Sequence, residues 1–267
     1  MKKIFYDIAL YFFSFIGLQL LITVIFSLAN GALGLGMQPT DAGMLILIQS
    51  TAAIVTTLLF VLLRWCPCSL AFWHQKPWLV IIWSAIAALG ALVPSSYLSD
   101  ILPDIMRTDL IADQLRDIAS SPLGYVALAL MAPMVEEVVF RGAIQSKAME
   151  LSKGNKNGHW VGITLTALLF SVVHMNPAQM PHAFLLGLFM GWLRYRSGSI
   201  VPGIIIHWVN NSAAFALMHF VPQLDGARTI DIFGGDPLRL TGAILLSLLL
   251  FALSIYQLHL CTKRTGA

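Results

Sequence analysis

Met134-Val135-Glu136-Glu137-Val138-Val139-Phe140-Arg141 lies in the middle of a long apolar run that starts at about Pro122. Upstream stand Leu123-Gly124-Tyr125-Val126-Ala127-Leu128-Ala129-Leu130-Met131-Ala132, and the same helix is expected to continue downstream to about Met149. Charge at bilayer depth costs a few kcal/mol per group even on lenient insertion scales, so charges kept there face a polar cavity or each other. In a helix, Glu137 and Arg141 are four residues apart on one face, in the favoured acid-before-base order. Glu136 is rotated by about 100° and has no cation at that spacing. The spacing therefore divides the acidic pair: one carboxylate neutralised by its neighbour, one left for chemistry. Pro133 removes a backbone donor and crowds the carbonyl of Ala129, which predicts a local distortion one turn before the acids.

Composition agrees with a membrane setting. Of 267 residues, 58% are hydrophobic and 11% charged, and the mean hydropathy is +0.79. A soluble domain is nearer a quarter charged. These values predict an all-α, polytopic transmembrane bundle, with no room for a large soluble domain and no repeat or linker to divide it: one integral membrane domain over 1–267. The net charge of +3 is too small to argue for nucleic acid as a partner. Three cysteines do not make a disulfide framework.

Eight spans are expected, at about 4–29, 42–63, 79–98, 122–149, 159–175, 179–193, 200–220 and 240–260. The first follows Met1-Lys2-Lys3 like a signal peptide, but its apolar run is too long for one and reads as an uncleaved span. Residues 100–121 are polar, with apolar residues at roughly helical spacing, and suit a helix lying on the membrane surface. With the N-terminus inside, eleven Lys and Arg fall on the cytoplasmic side and four outside, Arg141 being within the membrane. That is the asymmetry the positive-inside rule expects, and it puts both termini in the cytoplasm.

Other polar groups interrupt the apolar helices. The fifth span carries Phe170-Ser171-Val172-Val173-His174 and the seventh His207-Trp208-Val209-Asn210-Asn211, so His207 and Asn211 project from one face. Gly187 and Gly191 in the sixth span form a small-xxx-small pattern suited to close helix approach. His182, with Asn176 and Gln179, begins that span and is a candidate for lining a cavity mouth. His74, His159, His219 and His259 sit at span ends, where amphipathic side chains reach the interface.

Glu136-Glu137-xxx-Arg141, Phe170-xxx-His174 and His207-xxx-Asn211, in that order on separate spans, resemble the CAAX-protease and bacteriocin-processing family (CPBP or Abi), intramembrane endopeptidases that include the type II CAAX prenyl protease. The likeness covers about 122–220. It implies that Glu136 works with His174 to activate a water, that His207 and Asn211 stabilise the oxyanion, and that Glu137, Arg141 and Phe170 support the site. Desolvation raises a carboxyl's pKa toward the range of a useful general base. The resemblance implies no cofactor. The competing chemistry is zinc held by Glu136, His174 and His207. Against it, the chain has no His-Glu-x-x-His helix, and Asn211 suits an oxyanion better than zinc.

The leading expectation is thus an intramembrane endopeptidase acting on a peptide or membrane-protein substrate within the lipid bilayer. The alternative is a non-catalytic scaffold or regulator of a sensor kinase or envelope enzyme. A proton-relay transporter is disfavoured, since neither an internal repeat nor paired half-helices is evident. Short basic loops and the absence of targeting extensions suggest a prokaryotic inner membrane, where prenylated CAAX substrates are not expected. Oligomeric state is not encoded in any of these features.

Overall fold

A computed structural model of the chain describes residues 1–38, 40–67, 72, 77–102, 110–152, 158–224 and 226–262. Among these residues the regular structure is helical, without strands. Among the described residues, five helices are long and apolar enough to cross a membrane: α1 (Lys2–Leu33), α2 (Ala42–Leu62), α3 (Trp78–Asp100), α9 (Val201–Phe220) and α11 (Pro237–Cys261). Between them lie the short α4 (Ala112–Ala119), α5 (Ala132–Glu137) and α6 (Gln145–Ala148). The apolar α7 (His159–Val173), then α8 (Met180–Ser197) and α10 (Thr229–Ile232), are the other α-helices among the described residues. The chain is an integral membrane protein. Lys76, Arg107, Lys153, Lys156, Lys263 and Arg264, on which part of the charge asymmetry rests, lie outside the described residues.

The chain divides into two compact units, each made of two separate stretches: residues 1–68 with 111–162, and 69–110 with 163–267. In the first unit, α1 is apolar all round yet buries only Ile8, Tyr11, Phe15 and Ile22, a single stripe at helical spacing. Phe13, Leu20, Leu28 and other large apolar residues of α1 are exposed. A helix that presents apolar side chains outward suits hydrocarbon, not water. Gly34, left-handed at φ 61°, ends α1. Asn30 then staples the following loop by donating to the Met37 carbonyl and accepting its N–H at 2.8 and 3.2 Å. The surface helix expected over 100–121 is helical at Ala112–Ala119, where it packs on α2 and buries Ile118 and Ala119. Residues 103–109 of that stretch lie outside the described residues.

The charged segment is a composite helix. It is π-helical over Val126–Met131, α-helical in α5, π-helical again over Val138–Ile144, and α-helical in α6. The wider turns show as N–H bonds five residues back, from Ala132 to Ala127 and from Gln145 to Phe140. Pro133 explains the first: it cannot donate, and local π adjustment is one way a membrane helix absorbs a proline. The structure describes the expected distortion as a change of helical register on both sides of the acids.

In the second unit, α3 packs most extensively on α11 and then on α9. Ser84, Ala87, Ala88 and Gly90 make this possible by presenting almost no side chain. A Cβ on Gly90 would stand 2.8 Å from the Phe251 backbone nitrogen. Arg196, near the end of α8, donates to the His259 carbonyl at 2.5 Å and to Thr262 Oγ1 at 3.3 Å, tying α8 to the end of α11. Asp100, at the end of α3, accepts the Thr229 N–H that opens α10, at 2.7 Å. Asp236 caps α11 by accepting from Leu238 and Arg239.

Candidate functional site

In the first unit the composite helix sets the chemistry. Arg141 Nη1 lies 2.7 Å from Glu137 Oε1, and both side chains are 0% exposed. This is the ion pair that the four-residue spacing predicts. Val138, Val139, Phe140, Ala143 and Ile144 of the same stretch are buried as well. The Phe140 ring meets Phe12 and Phe15 of α1 edge-on, at centroid distances of 6.4 and 5.8 Å. Gly142 is pressed against Cys66, since a Cβ there would collide with the Cys66 sulfur. Further along, Lys147 Nζ lies 3.4 Å from Asp7 Oδ2 of α1 and 3.3 Å from Glu150 Oε1. Glu136, in contrast, is partly exposed. Adjacent acidic residues on one helix thus differ in burial: Glu137 is fully buried against Arg141, while Glu136 is partly exposed.

In the second unit a set of histidine and amide side chains collects on α7, α8 and α9. His174 Nδ1 is 2.7 Å from the Phe170 carbonyl oxygen. A carbonyl only accepts, so Nδ1 carries the proton and, in the neutral ring, Nε2 keeps its lone pair. The Phe170 ring stands edge-on to both His174 and His207, with centroids 4.9 and 5.6 Å away. One buried aromatic therefore orients two imidazoles. Room for that ring comes from Gly187 of α8: a Cβ there would approach Phe170 Cδ1 to 3.4 Å and the Ala167 Cβ to 3.0 Å. The glycine pattern in the sixth span serves this contact between α7 and α8. His207 is buried and Asn211 partly exposed, one turn apart on α9.

The sequence left two members of this set without a definite role. His182 Nε2 is 3.1 Å from Asn210 Oδ1, and Asn210 Nδ2 donates to Asn211 Oδ1 at 3.2 Å. His182 also lies within electrostatic reach of His174 and His207. Two consecutive asparagines in an apolar helix were the available signal for this chain. Helical periodicity, though, does not say that the second partner stands 28 residues earlier. The backbone next to His174 is unusual as well: Met175, outside the helix, has φ 46°. Among the described residues, no group of three or more His, Cys, Asp or Glu side chains gathers as a metal ion would require.

These features define a helical integral membrane protein with ionisable and amide groups set inside apolar segments. Residues 118–213 match the family model for the type II CAAX prenyl endopeptidase, Rce1-like, so that segment is similar to these CAAX proteases. The matched segment contains Glu136, Glu137, Arg141, Phe170, His174, His207 and Asn211. An Escherichia coli protein described as an "Uncharacterized 24.3 kDa protein" is 29% identical over 135 residues. That alignment takes in 49% of this chain and 58% of the relative, so the chain spans little more than half the length of the protein it matches. No solved structure matches.

Proposed function

We propose that the chain is an intramembrane endopeptidase that hydrolyses a peptide bond in a membrane-associated peptide or protein. The observation that carries this reading is the family match over 118–213, a range that contains Glu136, His174, His207 and Asn211. In the proposed reaction, a water hydrogen-bonded to His174 Nε2 gives one proton to the Glu136 carboxylate, and the water oxygen attacks the scissile carbonyl carbon. Nδ1 bonding to the Phe170 carbonyl supports that role for His174, because it leaves Nε2 as the basic atom. His207 and Asn211 donate to the oxygen that becomes negative, and one such donor is worth about 10²–10³ in rate. When the tetrahedral intermediate collapses, the carbon–nitrogen bond breaks and the abstracted proton passes to the leaving amine. Glu137 and Arg141 keep the helix that bears Glu136 in register.

In this reading the whole of 1–267 acts as one membrane domain, with eight spans and both termini in the cytoplasm of a prokaryotic inner membrane. The composite helix, α7 and α8 supply the three spans beyond the five long apolar helices. The mechanism uses no metal.

The test is cleavage of a quenched fluorescent peptide library by purified protein, wild type against Glu136→Ala, with and without a chelator. Cleavage that needs Glu136 and survives chelation is expected. Loss on chelation with recovery on adding zinc would replace the mechanism by the one in which Glu136, His174 and His207 bind the metal. A folded wild-type protein that cleaves nothing in the library would favour a scaffold over an enzyme.

A further inference from the structure

The bonds linking His182, Asn210 and Asn211 have a direction. Asn210 Oδ1 faces His182 Nε2 at 3.1 Å, and an amide oxygen only accepts, so His182 presents an N–H there. The other end of the same amide, Nδ2, donates to Asn211 Oδ1 at 3.2 Å. The acceptor end of Asn211 is therefore turned toward Asn210, and its donor end is turned the opposite way. A histidine tautomer with a bare Nε2 would reverse the set. Asn210 would rotate to donate to His182, its oxygen would face Asn211, and Asn211 would turn its own NH2 inward. The proton on His182 thus selects the polarity of the whole chain.

We propose that His182 is a positioning residue: through Asn210 it fixes the Asn211 amide with its donor end outward. This rests on the proposed role of Asn211 at the oxyanion and adds to it the residue that aims the donor. An amide can flip with little change of shape, and in the wrong orientation it would present an oxygen to a developing negative charge. A neutral chain reaching from α8 to α9 prevents this without burying a charge in an apolar segment. Neither His182 nor Asn210 touches the reacting atoms in this scheme.

The test compares His182→Leu, which cannot donate, with His182→Gln, whose amide can donate to Asn210. Cleavage kinetics of the purified protein should show kcat falling about tenfold or more in His182→Leu with KM within about twofold, and largely recovered in His182→Gln. Should the His182→Leu variant fail to fold, Asn210→Ala interrupts the same chain from its other end and should give the same split. In parallel, the side-chain amide signals of ¹⁵N-asparagine-labelled protein in detergent micelles, assigned with Asn211→Ala, report the geometry without reference to activity. The Asn211 signals should move in His182→Leu and return in His182→Gln. Wild-type kcat in His182→Leu, or Asn211 signals that stay in place, would overturn the proposal. If wild-type protein shows no Glu136-dependent cleavage, the endopeptidase reading fails by itself, and the amide signals alone decide whether His182 orients Asn211.

Discussion

The charged helix of the first unit and the histidine cluster of the second handle polar groups inside apolar segments in opposite ways. Glu137 and Arg141 are formally charged and close on each other at 2.7 Å, both fully buried. His182, Asn210 and Asn211 are joined by hydrogen bonds, His174 bonds to the Phe170 carbonyl, and all four are partly exposed. A closed, fully buried ion pair offers little to a substrate. A directed chain gives each of its amides a defined orientation. The contrast teaches which polar groups in an apolar segment hold structure and which can do chemistry, and Glu136 belongs with the second kind by its exposure.

The comparison breaks most visibly at Arg141. Arg141→Ala leaves Glu137 buried without its cation and should destabilise by about 3–5 kcal/mol, read as a large drop in detergent melting temperature. A melt like that of wild type would show that the pair is not sealed as described. Gly142→Ala should come next, at about 1–3 kcal/mol, because the new methyl meets the Cys66 sulfur. Combining it with Cys66→Ala should recover most of that loss, since the two residues share one contact.

In the second unit, Gly187→Ala crowds Ala167 and Phe170 and should reduce cleavage several-fold more than it lowers the melting temperature. Equal losses would mean that the contact serves packing alone. The smallest effect is expected at Met175, which is 75% exposed at φ 46°. Met175→Gly should stabilise by up to about 1 kcal/mol, because glycine adopts that conformation without strain.

Much of this was legible in the sequence. Long apolar runs locate α1, α2, α3, α9 and α11, because a membrane helix declares itself by hydropathy over its full length. The Glu137–Arg141 pair was legible because the four-residue spacing is local. Gly187 was visible as a small residue, but the groups it admits, Ala167 and Phe170, were not. The π-helical turns at Val126–Met131 and Val138–Ile144 leave no periodic trace; only Pro133 hinted at a distortion. Contacts such as Gly142 with Cys66, Gly90 with Phe251 and His182 with Asn210 join residues far apart in sequence. Spacing arguments reach one or two helical turns and stop there. The functional assignment came instead from three short motifs in order, none of which would have sufficed by itself.

The central claim is that adjacent carboxylates divide the labour, Glu136 for chemistry and Glu137 for structure. The most direct test is the cleavage rate per folded molecule of Glu136→Gln beside the double variant Glu137→Leu/Arg141→Met. A buried ion pair replaced by apolar residues of similar volume is often neutral for stability. The account predicts that Glu136→Gln loses about 10²-fold or more in rate without melting earlier, while the double variant folds and stays within about tenfold of wild type. Retained cleavage by Glu136→Gln, or an equal loss in the double variant, would contradict it.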